Sequence, residues 1–96
     1  MECKFEWDEA KASSNLAKHR VAFDEARTVF SDPLAKIFDD EAHSTDEARE
    51  IIIGHSVEAR LLIVSFTERG RNRIRIISAR PASRRERKAY EENAGP

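Results

Sequence analysis

Three apolar runs of strand length crowd the second half of the chain: "REIIIGHS" at 49–56, "RLLIVSFTER" at 60–69 and "NRIRIISAR" at 72–80. All three are rich in β-branched residues, and only short breaks separate them. Strands joined this closely pair antiparallel, because a parallel pair needs a long crossover. Gly70 with Arg71 marks a tight two-residue hairpin between the last two runs. That loop length sets Phe66 opposite Arg75 and Glu68 opposite Arg73. Strict alternation then puts Leu61, Ile63, Ile74 and Ile76 on one face of the sheet and Leu62, Val64 and Ile77 on the other. Both faces are apolar in part, so helices must cover one and something else the other.

The first half supplies helices. "CKFEW" alternates Lys4 and Glu6 against Cys3, Phe5 and Trp7, a short strand with one buried face. Asp8 offers an N-cap to "DEAKASSNLAKH", a weakly amphipathic helix with Ala10, Ser13, Leu16 and Ala17 along one stripe. The chain turns around Arg20 and Val21. "FDEARTVF" follows as a second helix, with Phe23, Ala26, Val29 and Phe30 on one side. It ends at Asp32-Pro33, because the residue before proline avoids the helical region. "LAKIF" is a further strand and "DDEAHSTDEA" an acidic loop. Beyond Pro81, "SRRE" is a capping box in which Ser83 and Glu86 bond each other's amides, opening a last helix that runs to about Glu92. Residues 92–96 have little to hold them. The order is β-α-α-β-β-β-β-α: one small α+β domain over residues 1–96, an antiparallel sheet with two N-terminal helices and one C-terminal helix.

Charge is divided unevenly along the chain. Residues 1–48 hold six Lys/Arg against twelve Asp/Glu, and residues 49–96 hold eleven against six. Seven arginines fall between Arg71 and Arg87. Such asymmetry in one domain suggests a surface for an anion or an acidic partner. On the last helix, Arg84, Arg85 and Arg87 crowd the N-terminus while Glu91 and Glu92 sit at the C-terminus, both against the helix dipole. Free amides and guanidiniums together suit a phosphate. Cys3 is the only cysteine, so no intrachain disulfide forms and a reducing, cytoplasmic setting is expected. No apolar run reaches membrane-span length, and the first eleven residues are too polar for a signal peptide.

Phosphate-loop, dinucleotide, Ser-His-Asp and zinc spacings are missing, and no cofactor is implied. His43, Asp46 and Glu47 lack further metal ligands, so no metal site is expected. The remaining His, Lys, Arg, Glu and Tyr can cleave RNA without metal. A base takes the proton of a ribose 2′-OH, an acid protonates the leaving 5′ oxygen, and cations stabilise the phosphorane. His19, His43 and His55 are the candidates for proton transfer. His55 in "IIIGHS" reads better as a strand-end residue with a satisfied hydrogen bond. Tyr90 reads as packing the last helix on the sheet, and Trp7 as core.

"FEWDEAKASSNLAKHRVAFDEARTVF", "HSTDEAR", "IGHS" and "RLLIVSFTERGRNRIRIISARPASRRERKAYEE" resemble the BrnT toxins over residues 5–92. The spacing of "TERG", "RIISAR", "RRER" and "YEE" is the specific part. The resemblance implies a type II toxin with a RelE-like ribonuclease fold that cleaves RNA and inhibits translation. Its partner is then a BrnA-type ribbon-helix-helix antitoxin, and operator DNA is met only through that antitoxin. A non-catalytic module that binds nucleic acid or antitoxin and tunes repression is the alternative. Carried onto this chain, the resemblance makes His19, His43, Glu68 and Arg80 catalytic candidates and Lys18 and Arg69 RNA-binding candidates; Arg84 and Arg85 join the RNA-binding candidates on their charge at the helix start. Glu47 in "HSTDE" belongs to the same motif set. Two positions depart from the family. Arg20 stands where glycine is usual, at a helix end that favours the left-handed conformation. Ala22 stands where serine is usual, so a capping box with Glu25 is lost.

Overall fold

The computed structural model describes residues 3–40 and 48–93. The elements are β1 (Lys4–Glu6), α1 (Glu9–His19), α2 (Phe23–Ala26), β2 (Lys36–Asp39), β3 (Glu50–His55), β4 (Leu61–Glu68), β5 (Arg73–Pro81) and α3 (Arg84–Asn93), with a 3-10 helix at Arg27–Ser31 extending α2. The expected order of elements is present. The five strands form one sheet in the order β1-β5-β4-β3-β2. All pairs are antiparallel except β1 with β5, which is parallel.

Capping explains where the helices start and stop. The Asp8 carboxylate accepts from the Lys11 amide at 3.0 Å and opens α1. Arg20 closes it in the left-handed region at φ 59°, ψ 34°, and donates its N–H to the Leu16 carbonyl. A bulky residue therefore holds the conformation that glycine adopts without strain. α2 begins at Ala22 with no side-chain cap. Serine there would cap α2 alone, because the Glu25 carboxylate is already engaged. It takes Arg60 Nε at 2.9 Å, a second Arg60 nitrogen, and the Ser56 hydroxyl at 2.6 Å. Arg60 also donates to the Arg20 carbonyl at 3.0 Å. This network fastens the β3–β4 turn to the helical layer, and the Arg60 hydrogen bond holds the Glu25 carboxyl below its ordinary value against the upward push of burial.

The main core lies between the first helices and the sheet. Val21, Phe23, Ala26 and Val29 meet Ile52, Leu62, Val64, Phe66, Ile76 and Ala79, all nearly free of solvent. Trp7 packs edge-on against Phe23, and Phe30 bridges Phe5 and Phe66. Gly54 admits this layer closely: a Cβ there would stand 2.7 Å from that of Ala35. On the other face Ile53, Leu61 and Ile63 receive Tyr90 from α3. Tyr90 packs as expected, with its hydroxyl on the Leu34 carbonyl at 3.2 Å.

Four sequence expectations require correction. The β4–β5 hairpin has three loop residues, Gly70, Arg71 and Asn72, closed by the Arg69 amide on the Arg73 carbonyl at 2.9 Å. Gly70 and Asn72 both adopt positive φ, which asparagine tolerates. The register therefore moves by one residue, and Glu68 faces Ile74 while Phe66 faces Ile76. Arg73 and Arg75 turn instead to Glu6 on β1, at 3.5 and 3.0 Å. With that register Ile74 and Ile76 join the Leu62 and Val64 face rather than the Leu61 and Ile63 face, and beyond them a bulge opposite Ser65 and Phe66 leaves Ile77 without a partner on β4. Finally, α1 does not bury its apolar stripe: Leu16 is 51% exposed. Its buried residue is Asn15.

Asn15 continues the sheet where β1 stops. β1 covers only Arg73–Arg75 of β5. Further along, the Asn15 amide accepts from the Ala79 N–H at 3.1 Å and donates to the Ala79 carbonyl at 2.8 Å and the Val21 carbonyl at 3.0 Å. One side chain thus satisfies a buried strand edge and the turn after α1.

Asn15→Ala is expected to lower unfolding stability by about 2–4 kcal/mol in urea titration, since it strands buried backbone groups. Arg20→Gly is expected to raise it by about 0.5–1 kcal/mol in the same assay. Glu25→Gln is expected to cost about 1 kcal/mol at neutral pH, because the exposed side of Arg60 screens the pair. The folded Glu25 pKa lies below its unfolded value. That contribution is therefore complete above the ordinary carboxylate range and disappears as pH falls through the folded value. Melts of wild type and variant should converge in acid.

Candidate nucleic-acid interface

The end of β5 and the start of α3 form one polar unit. The bulge at Ile77 sets Ser78 and Arg80 on the α3 side of the sheet, opposite Ser65 and Ile63. The capping box closes as expected: the Ser83 hydroxyl accepts from the Glu86 amide at 3.1 Å, and Glu86 Oε1 accepts from the Ser83 amide at 2.8 Å. The same carboxylate clasps Arg80, with Nη1 on Oε1 and Nη2 on Oε2, both at 2.8 Å. Arg80 foremost, and then the capping amide, hold Glu86 down to about 2 against the upward pull of burial. Glu86 in turn raises the Arg80 pKa. A carboxylate thus sits in the first turn of α3, where the dipole favours it. It offsets the Arg84 and Arg85 charges that otherwise oppose that dipole. Both arginines are exposed beside it, and Arg87 reaches Glu91 at 4.0 Å.

Beside Arg80 lies a cleft of about 240 Å³ lined by Asp40, Arg49, Ile51, Ile63, Ser65, Ser78 and Arg80. Two isoleucines and two serines line it together with the Asp40 carboxylate, and arginines from two distant parts of the chain, Arg49 and Arg80, border it. Cations and hydroxyl donors over a shallow apolar floor suit a phosphate next to a sugar or base.

The other candidates are dispersed. Glu68 and Arg69 lie at the far end of β4; Arg80 faces Ile63, five residues from Glu68, or roughly 17 Å along the strand. That end is acidic, and burial together with Glu68 and Asp39 raises the Glu50 pKa. Lys18 and His19 end α1, with Lys18 exposed and His19 half-buried. α1 is tied by Asn15 to Ala79, the residue before Arg80. His43, Asp46 and Glu47 lie outside the described residues. His55 ends β3 as expected: its amide donates to Asp32 at 2.7 Å, its ring is 3.8 Å from the same carboxylate, and it packs edge-on against Tyr90.

Sequence reasoning missed Arg49, Ser65, Ser78 and the clamp on Arg80. The two-residue step from Ser78 to Arg80 is a visible signal once both are assigned to one strand. Nothing local connects Arg49 or Ser65 to them.

Residues 7–86 match a family model described as the ribonuclease toxin BrnT of type II toxin–antitoxin systems. A comparison with curated proteins returns no match. Among solved structures, the chain is similar to the crystal structure of the Brucella abortus ribonuclease toxin BrnT, at 30% identity and a TM-score of 0.66, covering 85% of this chain and 99% of that one. No helix among the described residues is long and apolar enough to cross a membrane. The family match spans both the helical layer and the Arg80–Glu86 unit, and the chain belongs to the BrnT ribonuclease toxin family of type II toxin–antitoxin systems.

Proposed function

We propose that this toxin is a metal-independent endoribonuclease that cleaves RNA through its ribose 2′-OH, inhibits translation in the cytoplasm, and is neutralised by a BrnA-type ribbon-helix-helix antitoxin. Family membership itself implies ribonuclease activity and a cognate antitoxin. The observation that carries the finer reading is Arg80, fixed at the edge of a hydroxyl-lined cleft with Arg49 on its rim.

In this reading the scissile phosphate lies in the cleft against Arg80. A base removes the 2′-OH proton, the 2′ oxygen attacks phosphorus, and the 5′ oxygen leaves as an acid supplies its proton. The product is a 2′,3′-cyclic phosphate and a free 5′-OH. Charge builds on the non-bridging oxygens in the transition state, so a fixed guanidinium there stabilises it more than the ground state. His43 and His19 are the proton-transfer candidates, since imidazole exchanges protons near neutral pH. Arg84 and Arg85, exposed at the start of α3, would follow the RNA backbone. Lys18 and Arg69 would hold more distant phosphates. Glu68 is the weakest candidate base, given its distance from Arg80 and its acidic surroundings.

Purified toxin is expected to cleave RNA in EDTA. Arg80→Ala should slow cleavage by about 10²-fold or more with its thermal melt retained. Abolition by EDTA refutes the metal-independent chemistry, and unchanged cleavage by Arg80→Ala removes Arg80 from the site.

A further inference from the structure

We infer that Glu86 is a positioning residue for phosphate recognition, presenting one chosen edge of Arg80 to the RNA. The inference rests on the proposed reading of Arg80 as a phosphate ligand. A guanidinium carries five N–H groups in a rigid plane. Glu86 takes the two that face each other on Nη1 and Nη2, at 2.8 Å each. The Pro81 carbonyl accepts from Nη1 at 3.4 Å. Nε–H and the second Nη2 hydrogen are left without a partner among the described residues. These two point the same way from one side of the plane, with the spacing of two phosphate oxygens.

Glu86 is itself held. Its Oε1 accepts from the Ser83 amide, and α3 is anchored by the buried Tyr90 and its bond to Leu34. The line of restraint runs from the sheet through Tyr90, α3 and Glu86 to Arg80. An arginine already immobilised has less rotamer freedom to lose when it meets a phosphate. A plain charge argument points the other way: the Glu86 carboxylate offsets the positive charge of Arg80, so removing it should tighten binding of an anion. The opposite signs make the two roles separable.

The test uses the full chain and an RNA carrying 2′-O-methyl groups throughout, which cannot be cleaved by 2′ attack. Affinity is read by fluorescence anisotropy at fixed salt for wild type, Glu86→Gln, Arg80→Ala and the double variant. Glutamine still closes the capping box, so α3 keeps its start. Arg80→Ala should weaken binding about tenfold or more, and Glu86→Gln about tenfold. In the Arg80→Ala background the Glu86→Gln change should shrink to about twofold or less, as expected for a residue acting through Arg80. Tighter or unchanged binding by Glu86→Gln overturns the positioning role, as does an equal loss in both backgrounds. Unchanged binding by Arg80→Ala alone overturns the prior reading of Arg80, which is a distinct result. Nitrogen-15 relaxation of the Arg80 Nε–H in wild type decides the matter should Glu86→Gln fail to fold. A signal as rigid as the backbone is expected, and one as mobile as that of Arg84 overturns the clamp.

Discussion

One unpaired residue, Ile77, decides which way the end of β5 points. Side chains alternate strictly along a strand, so without the bulge Ile74, Ile76, Ser78 and Arg80 would all face the same way. Either two isoleucines would leave the core, or a guanidinium would enter it at a cost of several kcal/mol. The extra residue removes that conflict. Ile74 and Ile76 pack under the helical layer, and Ser78 and Arg80 emerge on the opposite face, across from Ser65 and Ile63. Bulges of this kind are often found beside functional sites for that reason.

A strand carrying both a core and a site must be held on both flanks. β4 pairs with β5 along its whole length, but β1 reaches only its first residues. Asn15 takes over at Ala79, one residue before Arg80, and α3 returns over the face to bring Glu86 onto Arg80 itself. Disturbance of α1 or α3 therefore reaches the same few atoms. The two helices contribute little apolar area of their own: α1 buries an asparagine and α3 a single tyrosine. Their docking relies on specific polar contacts more than on amphipathic stripes.

This division also explains what the sequence disclosed. Local devices were legible: the Asp8 cap, the Ser83–Glu86 box, the turn around Arg20 and Val21, the Asp32-Pro33 stop and the run of strands. Each depends on residues at most a few positions apart. The hairpin register was not legible, because Asn72 serves a positive φ nearly as well as glycine and lengthens the loop by one. That single residue takes Arg73 and Arg75 off Glu68 and Phe66, and the partner of their side chains, Glu6, lies almost seventy positions away. The face of α1 was misread because its anchor is polar, and apolar periodicity carries no signal for an asparagine that mimics a strand. Within the cleft, Arg80 stood out by motif, whereas Arg49 and Ser65 meet it only through sheet pairing.

The charge asymmetry that first suggested an anion-binding surface takes a narrower meaning once partners are assigned. Arg60 is committed to Glu25, Arg73 and Arg75 to Glu6, and Arg87 lies within reach of Glu91. Part of this positive charge is therefore answered within the fold, although Arg73 and Arg75 share one carboxylate. Arg71 remains exposed in the β4–β5 loop, and Arg84 and Arg85 at the start of α3, where Arg80 is paired yet keeps one edge open. In the proposed reading, recognition of a polyanion therefore rests on a few oriented groups around one helix start rather than on a broadly positive surface. A site built that way would discriminate by geometry: under the proposed function a phosphate would approach the one open edge of a fixed guanidinium, with the hydroxyls of Ser65 and Ser78 lining the same cleft.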